Sequence, residues 1–382
     1  MAEIIVPSGD ATAVVIYSKR LFAHAIRSTV AAKLMAMGLS ADSEQNFVQL
    51  FDETSKGPGD TVKYDLIPNI VGPGVLGDDP IAGHEVGWSA LQDSFVINQQ
   101  RQAQLLKGRM SQQRVPYSMR DAAKITLANW WKEMIDVALL NQLCGNSSQT
   151  DVSYTGMQSA VAPDSAHWVF AGGQTAESGL TSSHTFDISL IPAIVAKAQS
   201  SLTFPIKPVM LKGMQVDGVL FLHPLQIKAL KTNFSAGGWG DVMKAAYQGL
   251  AQTGNPIFSG AVGVIDNVVI HQDAHVPYGD NTQNTIYDPV QATTVPAPTS
   301  LGAAATGTTS VARGVFVGAQ AAAIGFGTAE TIGGKSLKVK WYEELLDAGN
   351  QLRVTAGMVY GIKKTRFASQ DYATIAVSSW AA

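Results

Sequence analysis

Between Thr61 and Leu66 apolar and polar residues alternate, Val62, Tyr64 and Leu66 against Lys63 and Asp65, the period of a strand with one covered face. Pro68 marks this strand as an edge or projecting one. An extended pattern resumes at Phe95 and Ile97, alternating with Ser94, Val96 and Asn98 before a glutamine-rich polar run. The pattern predicts two strands flanking one loop, a long hairpin whose tip falls in the Gly- and Pro-rich stretch from Val71 to Gly83. A hairpin of this length with no core of its own must lie on something else.

The strongest helical period follows in "SMRDAAKITLANWWKEMIDVALLNQLCG", Ser118 to Gly145. Ser118 and Asp121 form a capping pattern, and Gly145 supplies the stop. Ile125, Leu127, Trp130, Trp131, Met134, Ile135, Ala138 and Leu139 make the run apolar over more than one face, which predicts a helix over 118–144 wedged between layers. Downstream, residues 146–183 are polar and aperiodic and read as a long loop or insertion with an exposed "HWVF" at His167 to Phe170. Helices are predicted around 188–200, from His223 and Pro224 onward, and around 241–251. A buried strand is predicted at Val219 to Leu222, and one strand through "GAVGVIDNVVIHQD". Thr293 to Ser310 is low in complexity and reads as a loop; the segments beginning at Val311, Leu337 and Gln351 are strand-like. The fold class is α+β.

From Ala11 to Ala41 there is no acidic residue, and Lys19, Arg20, Arg27 and Lys33 alternate with apolar residues. Such a basic amphipathic segment suits a membrane-surface helix, a transit peptide or a helix-containing arm docked on another subunit; the docked arm is the reading adopted.

With 382 residues, 46% hydrophobic and only 15% charged, the chain can bury a sizeable core and still leave much apolar surface for a partner. A net charge of -3 argues against affinity built on neutralising many phosphates. The single cysteine, Cys144, excludes an internal disulfide framework and suits a reducing cytosol; at the end of an apolar helix it reads as a buried hydrophobe. No apolar run is long enough to span a bilayer, and no secretory signal precedes the first apolar residues, so the expectation is a protein neither secreted nor in a membrane.

Two motifs invite chemistry. "VGPGVLGDD" holds Gly72, Gly74 and Gly77 at dinucleotide-fingerprint spacing, but Pro73 removes a donor, Asp78 and Asp79 would repel a phosphate, and Pro80 and Gly83 interrupt the helix the motif requires. His271, Asp273 and His275 alternate as three strand-borne metal ligands would, yet no second cluster accompanies them, and a solvated strand end explains them better. No nucleophile elbow or Walker loop is present. The expectation is no enzyme, no cofactor and no metal.

The order of segments, with "VGPGVLGDDPIAGHEVGW", "VPYSMRDAAKITLANWWKEMIDVALLNQLCG", "LFLHPLQIKALK" and "GVIDNVVIHQDAHVP", resembles the major capsid proteins of tailed phages with the Hong Kong 97-like fold, the N-four-like family in particular. The resemblance implies an N-arm over 1–55, an extended E-loop hairpin over 56–117, a P-domain over 118–208, an A-domain over 209–330, and return strands of the P-domain over 331–382. It implies hexamers and pentamers closing into an icosahedral shell around double-stranded DNA, contacted non-specifically, with assembly in the host cytoplasm and residence in the virion. Val71, Gly72, Pro73, Gly74, Val75, Leu76 and Gly77 would make the inter-subunit contact of the E-loop tip. Trp130, Trp131, Met134 and Ile135 would pack the spine helix, and Lys19, Arg20, Arg27 and Lys33 would form the basic face of the arm. Scaffolding, portal and decoration proteins are the further partners the resemblance allows; because the arm starts almost at the beginning of the sequence, no fused scaffolding segment is expected, which leaves room for a separate scaffolding protein. Some members of the fold join a lysine to an asparagine of a neighbour; Lys63 and Lys107 lie in or beside the loop, but no asparagine and glutamate match that motif. A nanocompartment shell of encapsulin type shares the fold and is the alternative, with a nucleotide-dependent enzyme using the Gly72 region as the remote one.

Overall fold

The computed structural model describes residues 18–19, 21, 29–30, 34, 46–51, 61–67, 74–77, 81–82, 84–85, 90–106, 108–200, 202–211, 214–232, 261–279, 285–288, 293–301, 310–332 and 335–381. In chain order, strand β1 (Val48–Phe51) is followed by β2 (Thr61–Leu66), β3 (Leu91–Val96) and β4 (Asn98–Leu106), then by helices α1 (Arg109–Arg114) and α2 (Met119–Leu143). The middle of the chain gives β5 (Trp168–Phe170), α3 (Leu190–Ser200), β6 (Val209–Leu211), β7 (Met214–Val216), β8 (Gly218–Leu222) and α4 (Pro224–Thr232). After these come β9 (Ala261–Ile265), β10 (Val268–Gln272), β11 (Tyr278–Gly279), β12 (Thr285–Asp288) and β13 (Thr293–Pro296). The closing third contributes β14 (Val311–Val317), β15 (Ala322–Phe326), β16 (Glu330–Ile332), β17 (Lys335–Leu337), β18 (Val339–Leu346), β19 (Gln351–Lys364), β20 (Arg366–Phe367), β21 (Gln370–Asp371) and β22 (Thr374–Trp380).

Helix α2 forms as its sequence dictates. The Ser118 side chain accepts a hydrogen bond from Asp121 N at 3.3 Å, Asp121 sits at the positive end of the helix dipole, and Gly145 leaves the helix at φ +64°. From Met134 to Leu143 every residue is buried, including Asp136, Asn141 and Gln142. The helix is wedged between layers along its second half, as its all-round apolar pattern predicts. It packs on β19 and β4.

Two sheets flank this arrangement. The five-stranded one runs β1-β15-β19-β18, with β4 also on β19. Tyr360 pairs with both Asn98 and Phe326, and Thr355 with both Ala103 and Tyr342, so β4 takes one edge of β19 while β15 and β18 share the other. The seven-stranded sheet runs β5-β22-β14-β8-β10-β9, with β11 added on β14. Its central strands β8 and β14 are buried at every position, the mark of a sheet covered on both faces.

Several expectations need correction. The stretch 146–183 is no exposed insertion: Trp168–Phe170 is a strand parallel to β22, and His167, Ala171, Glu177 and Leu180 are buried. It is stitched to α2 by side chains the apolar pattern ignores, since Asn141 donates to Tyr154 O at 2.9 Å and Gln142 to Gln158 O at 3.0 Å. The segment 261–272 is two antiparallel strands, because Asp266 and Asn267 take positive φ of 51° and 58° and make a tight hairpin turn. Residues 293–296, read as loop, pair with β12. The helix expected at 241–251 lies outside the described residues. The closing stretch divides between the sheets: β18 and β19 lie in the first, β22 in the second. Likewise β4, expected within the hairpin, is a full member of the first sheet.

Candidate functional site

The hairpin is real and its register is regular, Thr61 opposite Val96 through to Leu66 opposite Leu91. Its base is clamped to the first sheet by Asp93. Tyr64 Oη donates to Asp93 Oδ2 at 2.6 Å, Arg366 N donates to the same oxygen at 3.1 Å, and Lys363 forms an ion pair with Asp93 Oδ1 while donating to Ser94 O at 2.7 Å. Burial, then the Asp93 carboxylate, pushes the Tyr64 phenol well above its ordinary value, so it stays a donor. Phe51, Tyr64, Phe95 and Phe367 close the base with ring centroids 5.4 to 6.2 Å apart.

Two glycines decide how close the base sits. Gly325 and Gly361 are register partners; a Cβ on the first would meet the Phe95 ring at 2.7 Å and on the second Val96 O at 2.1 Å. Beyond the base the chain leaves its own body. Gly74 and Gly77 both hold φ +68° with no heavy atom within 4 Å of a Cβ there, and Leu76 is 80% exposed, Ile81 69% and Ile67 61%. Positive φ at the tip is what the glycines were expected to supply, while Val71, Gly72 and Pro73 lie outside the described residues. Among the described residues past Gly77, His84 N closes a turn onto Ile81 O at 3.0 Å.

Of the spine residues, Trp131 and Ile135 are fully buried and Met134 nearly so, while Trp130 is half-buried against Trp131 at 4.9 Å, edge to face. Trp131 also meets Tyr360 of β19 at 6.0 Å. The N-terminal segment was expected to dock on another subunit, yet its described residues lie on this chain: Lys19 is exposed beside buried Ser18 and Leu21, Val30 and Leu34 are buried too, and Val30 N donates to the buried Asp136 of α2 at 2.7 Å. Arg20, Arg27 and Lys33 lie outside the described residues.

The remaining chemical candidates take structural roles. His271 packs on Phe221 with centroids 5.3 Å apart, Asp273 lies past the end of β10, and its carboxylate accepts from His275 N and ring Nδ1, both at 2.8 Å. Among the described residues no group of three His, Cys, Asp or Glu side chains is placed to hold a metal ion. Burial pushes the Cys144 thiol up to about 12, which keeps it protonated and unreactive. Lys63 is exposed on β2, away from the desolvated setting that a nucleophilic lysine needs.

What sequence reasoning missed is the clamp. Asp93, Lys363 and Arg366 are scattered charges in the sequence, and only the isolated glycines within strand-like runs, Gly325 and Gly361, signal that another backbone comes close there. It also missed the buried Arg313–Glu177 pair. Arg313 reaches Glu177 through Nε at 2.7 Å and Nη2 at 2.6 Å, donates Nη1 to Gly145 O at 2.8 Å, and lies over the Trp168 ring. Because Glu177 also accepts from Ser378 Oγ of β22, at 2.7 Å, the pair ties the end of α2 to both strands, β14 and β22.

Among the described residues, then, the two sheets and α2 are well filled, Val30 of the N-terminal segment is held on α2, and Leu76 and Ile81 of the hairpin tip are exposed. The structure is similar to the capsid of Ralstonia phage GP4, with a TM-score of 0.69 and 26% identity over 91% of this chain and 94% of that one. It shares its fold with the capsid of cyanophage Pam1, at a TM-score of 0.63 and 15% identity, covering 89% and 90% of the two chains. In sequence it is 25% identical over 354 residues to the major capsid protein of Pseudomonas phage KPP25, 88% of this chain and 86% of that protein. The model of the phage capsid protein family matches residues 5–382, and the chain belongs to that family.

Proposed function

We propose that this chain is the major capsid protein of a tailed phage and that its projecting hairpin is what joins one subunit to the next. The nanocompartment and nucleotide-enzyme readings give way to it, since the family and its relatives are phage capsid proteins. The parts of the fold take the Hong Kong 97 roles: an N-arm over 1–55, an E-loop formed by the hairpin of β2 and β3, a P-domain built on the spine helix and the five-stranded sheet, to which β4, β15, β18 and β19 belong, and an A-domain around the seven-stranded sheet. Copies assemble in the host cytoplasm as hexamers and pentamers and close into an icosahedral shell in the virion. Double-stranded DNA inside is contacted without sequence preference, and scaffolding, portal and decoration proteins are the other partners. The work is structural and calls for no catalytic residue.

One observation carries this reading. A rigidly clamped hairpin ends in exposed Ile67, Leu76 and Ile81, apolar surface that a lone subunit leaves in water and a lattice covers. Replacing residues 71–83 with a short Gly-Ser turn tests it. Circular dichroism is expected to report an intact fold, and electron microscopy small oligomers or irregular sheets in place of closed shells. Normal shells from this variant overturn the role of the tip; loss of fold places the tip in the subunit core.

A further inference from the structure

Strand β4 lines one edge of β19 only as far as the pair Asn98–Tyr360, and a single residue, Ile97, separates it from the hairpin strand β3. Since β3 pairs with β2 and β4 with β19, the chain has a hinge there. At Gly361 the Val96 carbonyl crosses the sheet, where a Cβ would lie 2.1 Å from its oxygen. One residue further on, another segment answers β19. Ile362 N donates to Gly156 O at 3.0 Å and the Gln158 side-chain amide donates to Ile362 O at 2.8 Å, so residues 156–158 satisfy both backbone groups that β4 leaves open.

The same amide also reaches the hairpin. Gln158 Oε1 accepts from Val96 N at 3.4 Å, while α2 holds the loop from behind through Gln142 Nε2, which donates to Thr155 O and to Gln158 O. Gly156 permits the approach: it takes φ +73°, and a Cβ there would lie 2.6 Å from Ile362 Cβ. One side chain thus joins the fixed sheet to the first residue on the hairpin side of the hinge. Asp93 already ties β3 to Lys363 and Arg366. A ribbon held at one point can still turn about it, and a second support away from that point fixes its angle.

We propose that Gln158 is the positioning residue of this hinge: by holding Val96 to β19 it sets the angle at which the hairpin leaves the five-stranded sheet. Its value to the protein rests on the reading that the hairpin bridges subunits, because a bridge must leave every copy at the same angle if the copies are to close into one shell. Burial does not supply that uniformity at the hinge, where Val96 is 38% exposed. A directional hydrogen bond does.

The test reads the angle in the full chain before it assembles. Spin labels are placed on Asp65→Cys in the hairpin and Asn129→Cys on α2, both exposed positions, with the buried Cys144 left in place. Gln158→Met removes donor and acceptor together at similar length. The distribution of distances between the labels is expected to become about twice as wide, with circular dichroism and exchange protection in the seven-stranded sheet unchanged, and the yield of closed particles to fall about threefold. Gln149→Met is the control, because it removes a loop amide bonded to Pro298 O and Asp151 N rather than to the hairpin, and it should leave the distribution as it was. If Gln158→Met fails to fold, Gln158→Asn decides: one methylene shorter, it cannot reach both partners, and the same widening is expected. An unchanged width overturns the proposal whatever the shells look like, and equal widening in the control reduces Gln158 to ordinary packing and overturns it too. A widened distribution with shells that still close normally keeps Gln158 at the hinge and removes the bridging reading instead.

Discussion

Strand β14 and strand β2 each pair antiparallel with a neighbour, yet all seven residues of β14 are buried and none of the six of β2 is. In the seven-stranded sheet both faces find partners within the chain, so apolar burial there is folding energy. In the hairpin apolar and polar positions alternate, the covering is local to the base, where Asp93 and Phe95 hold it, and the described apolar residues toward the tip, Ile67, Leu76 and Ile81, are exposed. Antiparallel pairing thus goes with full burial in one region and with exposed apolar residues in the other, which on the function proposed above serve folding and assembly respectively.

The largest effect is expected where the buried sheet holds its ions. Glu177→Gln leaves the Arg313 guanidinium buried beside Gly145 O and the Trp168 ring without its carboxylate. Breaking one partner of a buried pair typically destabilises by about 3–5 kcal/mol. Urea denaturation of the unassembled chain should show a loss of that order, with hydrogen exchange rising in β14 and β22. A loss below about 1 kcal/mol would mean that the network is incidental.

A smaller effect on the fold and a larger one on assembly are expected from Gly361→Val. The added Cβ would lie 2.1 Å from Val96 O, so either the hairpin base lifts or β19 shifts. Overpacking of this kind costs about 1–3 kcal/mol. Exchange protection should fall across 61–96 and persist in β14, and closed shells should be lost. Equal loss of protection in both regions would erase the distinction between folding sheet and assembling hairpin.

That distinction also explains what could be read in advance. Helix α2, the strands β2 and β3 and the glycine tip were legible because each is a local matter: a cap, a period, a positive φ. Strand β5 was not, because Trp168–Phe170 is a strand only by pairing with β22, more than half the chain away in sequence. The turn at Asp266 and Asn267 was missed because without a glycine it gives a weak hairpin signal, and the apolar run on both sides reads as continuous. The clamp at the hairpin base was out of reach altogether: Tyr64, Asp93, Lys363 and Arg366 come from β2, β3, β19 and β20, and together form no sequence motif.

A modest change is expected at the cap of α2. Ser118→Ala removes the acceptor for Asp121 N at the exposed start of the helix, worth about 1 kcal/mol in typical cases. Because that end lies outside the buried half, the loss should leave exchange in the seven-stranded sheet unaltered. A loss several times larger would mean that the core grips the start of α2 as firmly as it grips the end.

The smallest effect is set by pH and belongs to the seven-stranded sheet alone. At the end of β10, burial works to raise the Asp273 carboxyl, but the hydrogen bonds from the His275 ring and backbone prevail and hold it below its ordinary value. His275 is raised, first by its hydrogen bond to Asp273 and against its own burial, with the carboxylates of Asp136 and Glu133 on α2 adding to the pull. A folded value that is raised stabilises the fold fully below the unfolded value, about 6.5 for histidine, and that contribution fades as pH climbs through the folded value. A lowered carboxyl acts in the other sense: its contribution is present above about 3.9 and is lost as pH falls through the folded value. The share of stability that comes from His275 should therefore decline from about pH 6 to about pH 8, while His223, which burial pushes down to about 4, contributes in the opposite sense as pH rises through the same range. His275→Ala should remove the declining share, so that stability rises more steeply with pH than in the parent chain, while leaving exchange in the hairpin as it was; a variant that keeps the parent's slope would show that the declining share does not come from His275.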